Sequence, residues 1–319
     1  MSVSWISVRV GAKRFVAEDI QSFELVHPDG DDLPPFTAGS HIDVEVQPGI
    51  VRQYSLCNTP GESRRYQIAV LRDPDSRGGS IGMHEALVEG GMVRISPPRN
   101  HFALDSQARR SILLGGGIGV TPLMAMARHL TSQNADFVLH YCTRSRSRTA
   151  FHDDLTEGPF AGNVHLHFDE GLEAQRLNPE QVLGVPEPGT HVYVCGPAGF
   201  IDWVFTAAKA LGWPNEQLHR EYFSATQPEA SGDDHPFEVR IASSGASYTV
   251  PAGRTVVDIL AEQGIVIPVS CQQGVCGTCI TRVLDGEPDH RDLVLMGTEM
   301  DEFAPCCSRS RTPVLVLDL

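Results

Sequence analysis

The chain has no apolar run long enough to span a bilayer, and its start, Met-Ser-Val-Ser-Trp-Ile-Ser-Val-Arg-Val, has no charged opening followed by a long apolar core. Neither a membrane span nor a secretory leader is expected, and a cytoplasmic protein without a membrane partner is. Excess positive charge is also lacking. The formal net charge of −15 excludes the basic surface that nucleic-acid phosphates demand, so no nucleic-acid partner is expected. Internal repeats and low-complexity tracts are absent as well. Although there are 8 cysteines, they do not suit a secreted disulfide scaffold, because they cluster near one end and the rest are scattered. Only one C-x2-C pair occurs, overlapping a C-x4-C, which speaks against the repeated pairs of a zinc motif.

That overlapping set carries the strongest chemical signal. Cys271-Gln-Gln-Gly-Val-Cys276-Gly-Thr-Cys279, with Cys306 and Cys307 further on, has the C-x4-C-x2-C…C spacing of a plant-type [2Fe–2S] ferredoxin loop. Two bridged irons need four thiolates on one small perimeter. The tight loop supplies three, and either Cys306 or Cys307 supplies the fourth. Gly274 and Gly277 let the backbone wrap such a cluster without a Cβ clash. At 319 residues the chain is too long for a ferredoxin alone and has room for two or three domains.

Organisation along the chain supports three. Residues 1–104 hold short alternating runs, such as Ser22-Phe-Glu-Leu-Val, His41-Ile-Asp-Val-Glu-Val, Tyr66-Gln-Ile-Ala-Val and Met92-Val-Arg-Ile, separated by Gly- and Pro-bearing turns. This pattern predicts a small antiparallel β-barrel. Residues 105–226 alternate apolar strands (Ser111-Ile-Leu-Leu, Phe137 to Cys142, Val164 to Phe168, His191 to Cys195) with helical stretches such as Leu123 to Leu130, which predicts an α/β domain with a parallel sheet. Residues 227–235 read as a polar, acidic linker. In 236–319 a hairpin (Phe237-Glu-Val-Arg-Ile, Ser247-Tyr-Thr-Val) precedes a helix capped by Thr255 and stopped at Gly264, then the cysteine loop, then Val314-Leu-Val-Leu. That order resembles the β-grasp fold of ferredoxins.

Two further groups of residues carry chemistry. In Arg52-Gln53-Tyr54-Ser55, the Arg can grip a phosphate bidentately, the Tyr can pack on a ring or ribityl chain, and the Ser can hydrogen-bond a flavin nitrogen. Arg77-Gly78-Gly79-Ser80 offers glycines that admit an anion and a helix N-terminus to receive it. Gly115-Gly116-Gly117-Ile118-Gly119-Val120-Thr121-Pro122 departs from the G-x-G-x-x-G pattern but occupies the same strand-to-helix junction, where a pyrophosphate binds. Cys195-Gly196-Pro197-Ala-Gly-Phe200 ends a later strand.

Taken together, these motifs resemble the ferredoxin–NADP reductase superfamily, and with the cysteine loop the chain from about Val8 to Leu319 resembles the phthalate dioxygenase reductase family. His290-Arg-Asp and the tail after Cys306 resemble that family's C-terminal signature. The resemblance implies FMN held by Arg52, Gln53, Tyr54 and Ser55, by Ala69, Val70 and Leu71, and at its phosphate by Arg77 to Ser80, with Thr121 and Phe223 near the ring. It implies NADH on Gly116, Gly117, Ile118, Gly119, Val120 and Thr121, on Thr143 and Arg144, and on Cys195, Gly196 and Pro197. It further implies Ser55, Cys195 and Glu221 lining the nicotinamide–flavin contact, and Cys271, Cys276, Cys279 and Cys306 as cluster ligands.

The implied activity is that of a reductase component passing electrons from NADH through FMN and the cluster to a separate oxygenase of Rieske type, acting on an aromatic or similar small substrate. A haem monooxygenase or other acceptor, and an iron–sulfur sensor without catalysis, are the alternatives. Arg144, Arg146 and Arg148 follow the second α/β strand, where a 2′-phosphate would sit, so NADPH stays open beside NADH. From Gln227 to Leu319 there are 14 Asp/Glu against 6 Arg and no Lys, a surface suited to steering a basic redox partner or simply to solubility.

Overall fold

The computed structural model describes residues 5–74, 76, 78–223, 234–269, 271–275, 277–295 and 301–319. Arg77 and Cys276, and residues 227–233 of the expected linker, lie outside the described residues. The described residues fall into two compact units, one within 4–223 and the other within 224–319. Among them no helix is long and apolar enough to cross a membrane.

The first sheet of the larger unit is antiparallel and seven-stranded. Its strands are β1 (Ile6–Ala17), β2 (Ile20–Val26), β3 (Ser40–Gln47), β4 (Ile50–Ser55), β5 (Tyr66–Leu71), β6 (Met92–Ile95) and β7 (Arg99–Asn100), in the order β4-β3-β6-β1-β2-β5 with β7 on β3. Alternation aims Val8 and Val10, Phe23 and Leu25, Ile42 and Val44, and Val93 and Ile95 into one core, each fully buried side chain contributing about 1.5–3 kcal/mol. Met83 of α1 (Gly79–Ala86) closes that core.

The second sheet is fully parallel: β8 (Arg110–Gly116), β9 (Asp136–Thr143), β10 (Val164–Phe168), β11 (Thr190–Gly196) and β12 (Leu218–Tyr222), ordered β10-β9-β8-β11-β12. Helices α2 (Val120–Ser132), α3 (His152–Glu157), α4 (Pro179–Leu183) and α5 (Ala198–Ala210) connect its strands. Strand order reverses between β8 and β11, and ligands of open α/β sheets bind beyond the carboxyl ends of the strands at such a point. Ile20, Ala38, Cys57, Ala69 and Phe102 of the antiparallel part share a core with Leu113, Leu123, Leu139 and Tyr193 of the parallel part, so the two sheets form a single packed body.

In the smaller unit, β13 (Phe237–Ile241), β14 (Ser247–Val250), β15 (Thr281–Asp285), β17 (Glu302–Phe303) and β19 (Val314–Leu317) make a sheet ordered β14-β13-β19-β15-β17, and β16 (Pro288–Asp289) pairs with β18 (Arg309–Ser310). Parallel pairing of β13 with β19 completes the β-grasp arrangement that the element order predicts. Helix α6 (Val256–Glu262) begins with a capping box, in which Thr255 accepts the Asp258 N–H and the Asp258 carboxylate accepts the Thr255 N–H. It stops at Gly264, whose φ of +78° permits the paired bonds Gly264 N–H to Ala261 C=O and Ile265 N–H to Leu260 C=O. Asp234, inside the expected linker range, is tied to Arg291 at 2.7 Å and lies 3.8 Å from Arg309.

The carboxyl ends of β8 and β11 meet almost backbone to backbone. A Cβ on Gly119 would lie 2.3 Å from the Cys195 carbonyl oxygen, whereas one on Gly199 would meet nothing within 4 Å. Gly119→Ala should therefore lower unfolding stability by about 1–3 kcal/mol through overpacking, while Gly199→Ala, in the first turn of α5, should leave it unchanged or raise it by up to about 1 kcal/mol. Urea denaturation of the two variants measures the contrast.

Candidate functional site

Sequence-predicted residues converge at this junction from both sheets. Cys195 on β11 is in register with Glu221 on β12 and with Gly115 on β8. Ser55, at the end of β4 on the antiparallel sheet, is the polar neighbour of the Glu221 carboxyl that favours its charged form. One oxygen of that carboxyl, Glu221 Oε2, is buried with no partner. Burial pushes the Glu221 carboxyl up to about 8, and Ser55 opposes that shift. At neutral pH Glu221 is thus protonated and able to donate. Burial, and secondly the Glu221 charge, hold the Cys195 thiol well above its ordinary value. This makes Cys195 a small neutral wall rather than a nucleophile.

Glycines bring the nucleotide loop to the same place. A Cβ on Gly196 would lie 3.0 Å from Gly116 Cα, so two bare backbones face each other where helices α2 and α5 begin. Thr121 is buried and its hydroxyl donates to the Ile118 carbonyl at 3.0 Å, fixing the turn. Gly116, Gly117 and Ile118, with Thr143, Arg144, Pro197 and Leu71, line a cleft of about 780 Å³. Phe200, the last residue of the Cys195 motif, lines it too, as do residues that the sequence did not single out: Trp203 from α5, Arg176, Asp169, and Glu18 and Asp19 from the β1–β2 turn. Only tertiary packing marks them.

The flavin candidates sit on β4, β5 and the start of α1. The Arg52 side chain crosses the helix start so closely that a Cβ on Gly79 would meet its Nε at 2.6 Å. The cap residue Gly78 has φ of +77°, and the first turn of α1 holds no acidic residue. The Ser80 N–H is held by the Ser76 hydroxyl at 3.0 Å, and a guanidinium beside a glycine-rich helix start suits a phosphate. Ser80 is the second residue of α1, and its hydroxyl accepts the Asp73 N–H at 3.0 Å. Burial pushes the Tyr54 phenol up, while Arg52 pulls it down. Gln53 is held by His41 at 3.1 Å. Ala69 and Val70 are buried beside Leu71, whereas Phe223 is 38% exposed.

In the smaller unit, sulfur meets sulfur. Cys306 is buried within hydrogen-bond reach of Cys271, Cys279 and Cys307; these contacts, that with Cys271 foremost, push its thiol up, while the bond from Cys306 holds Cys279 down. Gly274 and Gly277 have φ of +73° and +70°, and a Cβ on Gly274 would lie 2.5 Å from Cys307 Sγ. Buried Asp292 braces the loop: it accepts the Leu295 N–H at 2.7 Å and the Ser308 hydroxyl at 3.0 Å, and Leu293 N–H donates to the Gly274 carbonyl at 2.9 Å. Among the described residues no group of three or more His, Cys, Asp and Glu forms a metal site by itself, Cys276 being outside them. Soft thiols converging on a glycine cradle fit an iron–sulfur cluster.

An antiparallel flavin-type sheet packed on a parallel nucleotide sheet, with a separate cysteine-loop unit, defines a modular electron-transfer reductase. Residues 239–311 match the family described as "2Fe-2S iron-sulfur cluster binding domain". The chain is 52% identical to a vanillate O-demethylase oxidoreductase of a Pseudomonas species over 98% of this chain and 100% of that one. The solved structure of phthalate dioxygenase reductase, described as a modular structure for electron transfer from pyridine nucleotides to [2Fe–2S], aligns with a TM-score of 0.77 and 40% identity over 99% of this chain and 98% of that one. An intact type IV self-sufficient cytochrome P450 monooxygenase aligns with a TM-score of 0.87 and 38% identity, covering 99% of this chain and 41% of its own. The chain belongs to the phthalate dioxygenase reductase family. It is an oxidoreductase that carries electrons from pyridine nucleotide through flavin to a [2Fe–2S] cluster, as the reductase component of an oxygenase system.

Glu221 has a pH signature. Its folded pKa of about 8 exceeds the ordinary 4.5, so between those values the unfolded chain ionises while the folded chain keeps its proton. Stability therefore falls as pH rises across that window. In the chain without bound cofactor, Glu221→Gln should flatten this decline, as read from urea midpoints at pH 5, 6, 7 and 8; an unchanged slope overturns the assignment.

Proposed function

We propose that residues 1–104 hold FMN and residues 105–226 hold NADH, and that 227–235 link them to a [2Fe–2S] ferredoxin domain at 236–319. The observation that carries this reading is the close approach of the two strand ends, where a Cβ on Gly196 would lie 3.0 Å from Gly116 Cα and one on Gly119 2.3 Å from the Cys195 carbonyl oxygen, because it opens the starts of α2 and α5 onto one place at the carboxyl end of the nucleotide sheet. When bound, the flavin takes two electrons together from NADH and releases them singly to the cluster.

The chain's own residues do the rest. Arg52 and Gly78 to Ser80, with Arg77, hold the FMN phosphate, and Gln53, Tyr54, Ser55 and Ala69 to Leu71 hold its ribityl and ring portions, with Thr121 and Phe223 near the ring. Gly116 to Val120, Thr143, Arg144 and Cys195 to Pro197 hold the coenzyme. Ser55, Cys195 and Glu221 position the nicotinamide against the flavin, a role that needs no strong acid or base, only geometry and a dry wall. Cys271, Cys276, Cys279 and Cys306 hold the cluster.

The acceptor is a separate oxygenase component of Rieske type acting on a small aromatic substrate. Vanillate and phthalate, in the relatives' names, are aromatic acids. A cytoplasmic location belongs to the same reading, since thiolate-held clusters suit a reducing compartment.

Two measurements test it. Cys306→Ser should lose iron and the cluster's visible absorbance while Cys307→Ser keeps both, and the opposite pattern reassigns the fourth ligand. Transfer to the oxygenase should slow roughly threefold or more as ionic strength rises from about 0.02 to about 0.2 M, if the acidic surface of 236–319 steers the encounter; a flat salt profile leaves those charges to solubility alone.

A further inference from the structure

The three arginines after β9 do not share a fate. Arg144 lines the coenzyme cleft, whereas Arg146 faces a different cavity with Arg14 and Arg128. Arg148 lines the cleft but is claimed by the antiparallel sheet: its Nη2 lies 2.6 Å from Glu18 Oε1 and 3.6 Å from Asp19 Oδ2. The β1–β2 turn that brings these carboxylates is pinned on both sides. Glu18 N–H donates to the Ser147 carbonyl at 2.9 Å and the Ser147 hydroxyl to Glu18 Oε2 at 3.1 Å. Asp19, at φ +60°, accepts the Arg72 N–H on its carbonyl at 2.7 Å. Arg72, a further cation of the cleft, is paired with Glu85 at 3.1 Å.

We propose that Glu18 and Asp19 set the coenzyme preference. They occupy Arg148 and hold negative charge beside the position after the second α/β strand that reads the 2′ substituent of the adenosine ribose. A ribose hydroxyl can hydrogen-bond a carboxylate there. A 2′-phosphate brings roughly −2 charge to two carboxylates and finds its natural arginine already neutralised, so NADPH is rejected by repulsion as well as by the missing contact. This rests on the reading that the cleft of about 780 Å³ holds the coenzyme. The specificity device is supplied by the flavin sheet rather than by the nucleotide sheet itself.

The test uses the full chain loaded with flavin and cluster, and compares kcat/KM for NADH and NADPH. The double variant Glu18→Gln with Asp19→Asn should raise the NADPH/NADH ratio by about tenfold or more, and adding Arg148→Ala should remove the part of the gain that the freed guanidinium supplies. An unmoved ratio in the double variant overturns the proposal, as does a gain that loss of Arg148 leaves undiminished. Arg144→Glu separates this from the cleft assignment: it should raise the NADH KM severalfold whatever happens at Glu18. An unchanged KM in that variant overturns the cleft as the coenzyme site, whereas a raised KM with an unmoved ratio in the double variant sinks only the selectivity device.

Discussion

Everything in the larger unit hangs on the contact of two bare backbones. Because Gly116 faces Gly196 and Gly119 abuts the Cys195 carbonyl, the first turns of α2 and α5 open onto one place, and the strand ends carrying Cys195 and Glu221 lie beside them. A single methyl on Gly119 would meet the Cys195 carbonyl oxygen at 2.3 Å and force the loop away from that strand end. The contact thus fixes how closely the starts of α2 and α5 approach the ends of β11 and β12.

Electrostatics around that contact are arranged by burial more than by charge. Burial favours the protonated form of both the Glu221 carboxyl and the Cys195 thiol, so these two strand-end groups lean toward neutrality at neutral pH. The charged groups sit at the rim of the cleft, where Glu18, Asp19 and Arg148 answer one another. A dry, neutral centre with a charged rim suits a reaction in which nothing but a hydride crosses.

Legibility followed locality. Met92–Ile95 and Val164–Phe168 appear as the sequence predicts, because their alternation or apolar run is bounded by clear turns. β12 left no such mark: Leu-His-Arg-Glu-Tyr is charged and half-buried, and it is held by register with β11 and by Arg220 stacking on Phe205 and Tyr222. Glycine and cysteine spacing announced the nucleotide loop and the cluster loop, since each depends on contiguous residues. The pairing of Glu18 with Arg148 was invisible, because it joins residues 130 positions apart through a turn whose composition is ordinary. Asp234 reads as linker by its neighbours, yet two arginines of the smaller unit claim it.

β19 lies at the middle of its sheet, between β13 and β15. During synthesis, then, the cysteines of 271–279 leave the ribosome well before the strand that completes their support exists, and β13 must wait more than seventy residues for its parallel neighbour. Such non-local closure is slow compared with helix or hairpin formation. The cluster loop therefore gains its full support only once the last strand of the chain has paired with its two neighbours.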